Sequence, residues 1–183
     1  MPHQFTTSFI ADSIAVLRSW KSLADKAMAQ MKDDEFHRAI DPESNSVAVI
    51  VKHMAGNMRS RWQDFLTSDG EKPDRHRDTE FEMPEQLNRE QILDLWERGW
   101  KYVFDALEPL TDADLNRTVY IRSEPHSVMQ AINRQVAHYA NHIGQIIFLA
   151  KHFRSSEWKP VTIPRGKSEE FLRKVKAGEA SQR

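Results

Sequence analysis

Arg134-Gln-Val-Ala-His138-Tyr-Ala-Asn-His142-Ile-Gly-Gln145 places two histidines four residues apart inside a long segment of apolar periodicity. In a helix that spacing turns the second side chain by only about 40° and stacks it one turn above the first. Both imidazoles can then reach one metal ion. At about 100° per residue, Ile132, Ile143, Ile146, Ala150 and Phe153 share one direction. His138 and His142 fall on the flank of that stripe, beside Ala131 and Leu149. A histidine pair at this spacing also arises by chance on exposed helices, and the inward placement is what separates the two cases. A buried imidazole needs a partner for each ring nitrogen, so two inward histidines without a task are costly. Two ligands are too few for a tight site, and a third has to come from another segment.

Three further segments hold a helical period. Residues 5–31 carry Phe9, Ser13, Val16, Leu17, Trp20, Ala24, Ala27, Met28 and Met31 on one stripe. Residues 46–67 carry Val47, Ile50, Val51, Met54, Met58, Trp62 and Phe65. Residues 88–108 carry Ile92, Leu95, Trp96, Trp100, Val103, Phe104 and Leu107, with Asn88 as the cap and Pro109 as the stop. Gly99 lowers helix propensity there and suits a close helix contact. The fourth helix, 126–153, holds the histidine pair. The connections 32–45 and 68–86 are polar and are expected outside the core. Asp33-Asp34-Glu35 is expected as a solvated turn, and the long second connection as a cover for a site or a partner surface. Thr118-Val-Tyr-Ile-Arg122 alternates but is too short for a sheet by itself, so it is expected as an extended lead into the fourth helix. Beyond residue 155 runs a tail whose two prolines keep it extended over 158–167. Its apolar residues are expected to pack back on the helices or on a second subunit, before a short last helix from Ser168 to about Lys176.

These stripes predict an all-α chain of four helices in one domain, 1–183. The composition is 39% hydrophobic and 29% charged, with a net charge of −1. Nothing there favours nucleic acid. No apolar run approaches the roughly 18 residues of a membrane span, and no basic segment followed by an apolar one opens the chain, so a cytoplasmic location is expected. Cysteine is absent, so a metal would be held by histidine, carboxylate or water. Among the remaining histidines, His53 sits well inside the second helix. It lies about 120° from the centre of that stripe, so periodicity supports it weakly. Elimination supports it more: His3, His37 and His76 fall at a terminus or in polar connections, His126 near a helix start and His152 near a helix end. If His53 fails, Glu124 and His126 are the next choices.

The order of these motifs resembles the DinB/YfiT-like superfamily. Ala137-His-Tyr-Ala-Asn-His-Ile-Gly-Gln145 looks like its fourth helix, Ser46-Val-Ala-Val-Ile-Val-Lys-His53 like its second, and Ile163-Pro-Arg-Gly-Lys-Ser168 like the tail of one uncharacterised subgroup. The resemblance spans roughly residues 5–170. It implies an up-down-down-up four-helix bundle, often a homodimer, with a divalent metal on His53, His138 and His142. It implies for some members transfer of a low-molecular-weight thiol to an electrophile, and for others no assigned activity. Nothing in the chain adds DNA binding to this.

Three neutral imidazoles on zinc or nickel leave an open position, the pattern of catalytic zinc. With no cysteine in the chain, any sulfur nucleophile would come from a cosubstrate. Asn57, one turn from His53, is a candidate to orient a ligand or water. Glu124, before the fourth helix, is a candidate base or fourth ligand. An asparagine or glutamate at such places more often caps a helix or faces solvent. Gln145 and Tyr139 read as packing or supporting groups. Three functions stay open: a metal-dependent thiol transferase or hydrolase, a non-catalytic metal-binding or stress-related dimeric bundle, and a structural dimerisation module.

Overall fold

The computed structural model describes residues 4–82 and 87–181. His3 and residues 83–86, the end of the second polar connection, lie outside that range. The described chain is mostly helical, with one small sheet. Its helices are α1 (Phe9–Met28), α2 (Val47–Trp62), α3 (Arg89–Leu107), α4 (Val128–Arg154) and the short α5 (Ser168–Lys176). Strands β1 (Thr118–Ile121) and β2 (Glu124–Ser127) pair antiparallel. The four long helices all begin on a side-chain cap. Ser8 accepts from the Ala11 amide, Ser46 from Val49, Asn88 from Gln91 and Ser127 from Gln130. Gln91 and Gln130 reach back to close capping boxes. Each such cap contributes about 1 kcal/mol.

α1 packs along α4 and α2 along α3, while α2 also meets α4. Twelve of the sixteen residues of α2 are buried, against nine of twenty-seven in α4, so α2 is the inner helix. The tryptophans Trp96 and Trp100 of α3 and Tyr139 of α4 are almost fully enclosed. Gly99 lets α3 approach α2: a Cβ there would stand 3.0 Å from Met58 Sδ and 3.1 Å from the Ala55 Cα. The close contact expected of this glycine is therefore present. No helix among the described residues is long and apolar enough to cross a membrane.

Several expectations are corrected. α1 starts at Phe9 and stops at Met28, which leaves Phe5 exposed. α2 stops at Trp62, because Asp64 takes a left-handed backbone (φ 52°) and its carbonyl accepts from the Thr67 and Ser68 amides, each at 3.0 Å. The Asp33–Glu35 turn is not solvated throughout. Glu35 is buried, pairs with Arg154 at 3.1 Å and accepts from the Lys32 amide at 2.7 Å, while the adjacent Phe36 enters the core. The connection after α2 also reaches inside, through Gly70 and Glu80.

The extended lead into α4 is half of a hairpin. Ile121 pairs with Glu124, so Arg122 and Ser123 form a two-residue turn. Both have positive φ, 54° and 64°, as the favoured hairpin turns require. Neither is a glycine or asparagine. Asp69 supplies the stabilisation instead, accepting from the Arg122 amide at 2.8 Å and the Ser123 amide at 2.7 Å. In the tail, Gln30, just beyond α1, exchanges two hydrogen bonds with the Lys159 backbone, and Trp158 packs on the core. Ile163 does not pack back and stays exposed.

Candidate metal centre

α2 and α4 bring His53, His138 and His142 to one point. The Nε2 atoms of His138 and His142 stand 3.1 Å apart, and those of His53 and His138 3.4 Å apart. One nitrogen from each residue lies within 4.8 Å of the others, and no other histidine or carboxylate among the described residues joins the group. The rings meet edge-on, with interplanar angles of 81°, 66° and 77°. His53 is 4% exposed, and the two histidines of α4 are half-buried.

The opposite nitrogen of each ring is occupied. Nδ1 of His53 faces Glu80 Oε2 at 2.9 Å, that of His138 faces Gln135 Oε1 at 3.4 Å, and that of His142 faces Gln145 Oε1 at 3.2 Å. A carboxylate only accepts, so His53 Nδ1 donates to Glu80. With the Gln135 and Gln145 oxygens turned to their rings, the Nδ1 atoms of His138 and His142 donate too, which leaves each Nε2 its lone pair. In that arrangement three lone pairs face one another. A cation relieves that repulsion. Ligand nitrogens at about 2.0–2.1 Å from a tetrahedral ion stand about 3.3 Å apart, close to the spacings seen here. The donor set and its spacing therefore fit a divalent metal.

Protons are disfavoured as the alternative cation. Burial pushes His138 down to about 3, and positive charge on His142, His53, Arg61 and Arg75 adds to the effect. Burial also lowers His142, against the hydrogen bond to Gln145, which acts to raise it.

One wall of the centre comes from the connection after α2. Its 3-10 turn, Asp78–Phe81, places Phe81 against the His53 ring at 4.6 Å and buries Glu80. Arg75 clamps that carboxylate, Nε to Oε1 at 2.8 Å and Nη2 to Oε2 at 2.9 Å. Burial alone would raise Glu80, but the hydrogen bonds from His53 and Arg75 outweigh it and hold the carboxyl below its usual range. Glu71 carries the network outward, accepting from Arg122 at 2.8 Å and standing beside Arg61 and Arg75. This connection, expected to cover a site or a partner surface, lies against the candidate centre through Glu80 and Phe81. Glu80 and Arg75 were not foreseen, because no spacing marks a loop carboxylate that acts only after the chain has folded.

Asn57 is buried one turn from His53, where its Oδ1 accepts from the Tyr139 hydroxyl at 3.2 Å. That hydroxyl in turn accepts from Trp62 Nε1 at 2.8 Å. Burial pushes the Tyr139 phenol up, so it stays protonated. Tyr139 therefore supports the site from behind, and Gln145 does so directly. Glu124 is exposed on β2 and is not drawn in with the histidines. His76 and His152 are exposed; His37 and His126 are half-buried outside the group.

No curated protein and no solved structure matches the chain in comparison. A family model does match, over residues 4–167, and its description reads "Protein of unknown function (DUF1572)". That match takes in all three histidines, the wall that carries Glu80 and every long helix, and on it the chain belongs to the DUF1572 family.

Proposed function

We propose that His53, His138 and His142 hold one divalent ion, zinc or nickel, and that the chain is a metal-dependent enzyme of DinB/YfiT-like type. The observation that carries this reading is the convergence of three Nε2 atoms whose Nδ1 partners are all in place. The four long helices form, in this reading, an up-down-down-up bundle in a single domain. A bound divalent ion would supply Lewis acidity at that point, lowering the pKa of a water or a coordinated thiol. The protein's own residues orient and enclose. Glu80, Gln135 and Gln145 aim the imidazoles, Phe81 and the 3-10 turn close one side, and Arg61 and Arg75 add positive charge nearby.

Three protein ligands leave room for a further one, which suits catalysis better than a purely structural site. Since the chain has no cysteine, a thiol substrate is a small molecule, and transfer of its sulfur to an electrophile is the reaction class proposed. The protein acts as a cytoplasmic homodimer in this reading, and sedimentation showing only monomer at micromolar concentration would remove that part. Metal analysis of protein purified without chelators tests the centre, with one equivalent of metal expected. Consumption of glutathione, bacillithiol or mycothiol with a generic electrophile tests the reaction. Full metal occupancy without turnover would leave a non-catalytic metal-binding bundle, and protein that takes up no metal would end the proposal.

A further inference from the structure

The acceptor behind His53 is built differently from the other two. Gln135 and Gln145 lie on α4, three residues from the histidines they meet. Glu80 lies 27 residues from His53, on the connection after α2, and is 7% exposed. The side chain of its clamp, Arg75, is 4% exposed. A planar guanidinium fork fixes both carboxylate oxygens at once. α2 leaves a space for the carboxylate at Gly56. A Cβ there would stand 2.3 Å from Glu80 Oε1 and 2.8 Å from its Cδ. The backbone of Gly56 is ordinary helix, so what this glycine provides is room.

We propose that Glu80 is a positioning residue: clamped by Arg75 and admitted by Gly56, it holds His53 in the tautomer whose bare Nε2 faces His138 and His142. The inference deepens the metal-centre reading and rests on it. An ionised carboxylate only accepts, so the His53 proton has to sit on Nδ1. An imidazole oriented in this way is also a better ligand. The amides behind His138 and His142 can turn and donate instead, so Glu80 is the acceptor of the three that admits one tautomer.

The test compares wild type, Glu80→Ala, Glu80→Gln and Gly56→Ala. Long-range nitrogen–proton spectra of the imidazoles in metal-free protein read the His53 tautomer. Competition against a chelator reads zinc affinity, and thermal melts read stability. Wild type is expected to show His53 protonated on Nδ1. Glu80→Ala and Gly56→Ala should bring in the Nε2-protonated form and lower zinc affinity about 10–100-fold. Glu80→Gln, which keeps an acceptor oxygen, should fall between. Gly56→Ala retains Glu80 and Arg75, and its thermal melt shows whether it stays folded, which separates displacement of the carboxylate from loss of folding. Unchanged tautomer and affinity in both alanine variants, with only the melting temperature lowered, would overturn the inference and leave the metal centre standing. Wild type that binds no zinc would remove the metal centre, and the tautomer comparison in metal-free protein would still decide the role of Glu80.

Discussion

His138 shares a spacing of 3.1 Å with His142 and 3.4 Å with His53, so it is the candidate ligand on which the other two converge. Replacing any of the three by alanine should reduce zinc affinity by at least 100-fold, since two imidazoles do not close the site. Dialysis followed by metal analysis would show it, and His76→Ala and His152→Ala should retain full metal. The same histidine sets a pH dependence. An unfolded chain protonates it near the ordinary imidazole value of 6.5, the folded chain only at about 3. The unfolded state therefore binds the extra proton between those values. Stability from this group is full above 6.5 and falls as the pH drops toward 3. Glu80 acts in the same direction, its contribution being lost as acid protonates a carboxyl held below its usual range. Urea midpoints of metal-free protein at pH 7.5, 6 and 5 should decline, and His138→Leu should flatten the slope. The α4 pair was legible in the sequence because the spacing of four puts both rings on one face. His53 was legible by elimination and by the family resemblance, and only weakly by periodicity. α2 is buried on nearly every side, so its stripe has no clear phase and a residue about 120° from its centre is still interior.

At the scale of elements, glycines separate contact from propensity. Gly99 lies where α3 meets α2, and Gly144 of α4 has open space where a Cβ would be added. Gly144→Ala should stabilise the protein by about 0.5–1 kcal/mol through helix propensity alone. Gly99→Val should destabilise it by about 1–3 kcal/mol, because the Ala55 backbone does not yield as a flexible side chain would. Chemical denaturation of the two variants side by side measures the difference. The long helices were readable to within a few residues because stripes and caps coincide: Asn88 before α3 is both a sequence signal and an observed cap. The hairpin was not readable. Its turn residues, Arg122 and Ser123, lack the usual glycine or asparagine, and their left-handed pair is held by Asp69, 53 and 54 residues away. Pro125 in β2 also argues against a strand unless that strand is an edge, as here. Glu35 and Phe36 were hidden by their acidic neighbours. The pairing with Arg154 that makes burial of Glu35 tolerable is 119 residues distant.

Over the whole molecule, the metal is expected to add stability without creating the fold. The core joins all four long helices and contains Trp96, Trp100 and Tyr139, so metal-free protein should remain folded, unlike a zinc finger. Zinc at about 100 times its dissociation constant should raise stability by about 2.7 kcal/mol. Calorimetry with and without zinc would read this as a shift in melting temperature, which the triple alanine variant of the histidines should lack. A last consequence concerns how the molecule opens. The Asp69 carboxylate receives three amides, those of Glu71, Arg122 and Ser123. It thereby fastens the segment that leads to Arg75 and Glu80 onto the hairpin that leads into α4. Protons on those three amides should trade for deuterium at a common rate, as one cooperative unit. Asp69→Ala should speed all three together while the amides of mid-α3 keep their protection, and separate rates in wild type would show that the hairpin and the wall of the site breathe independently.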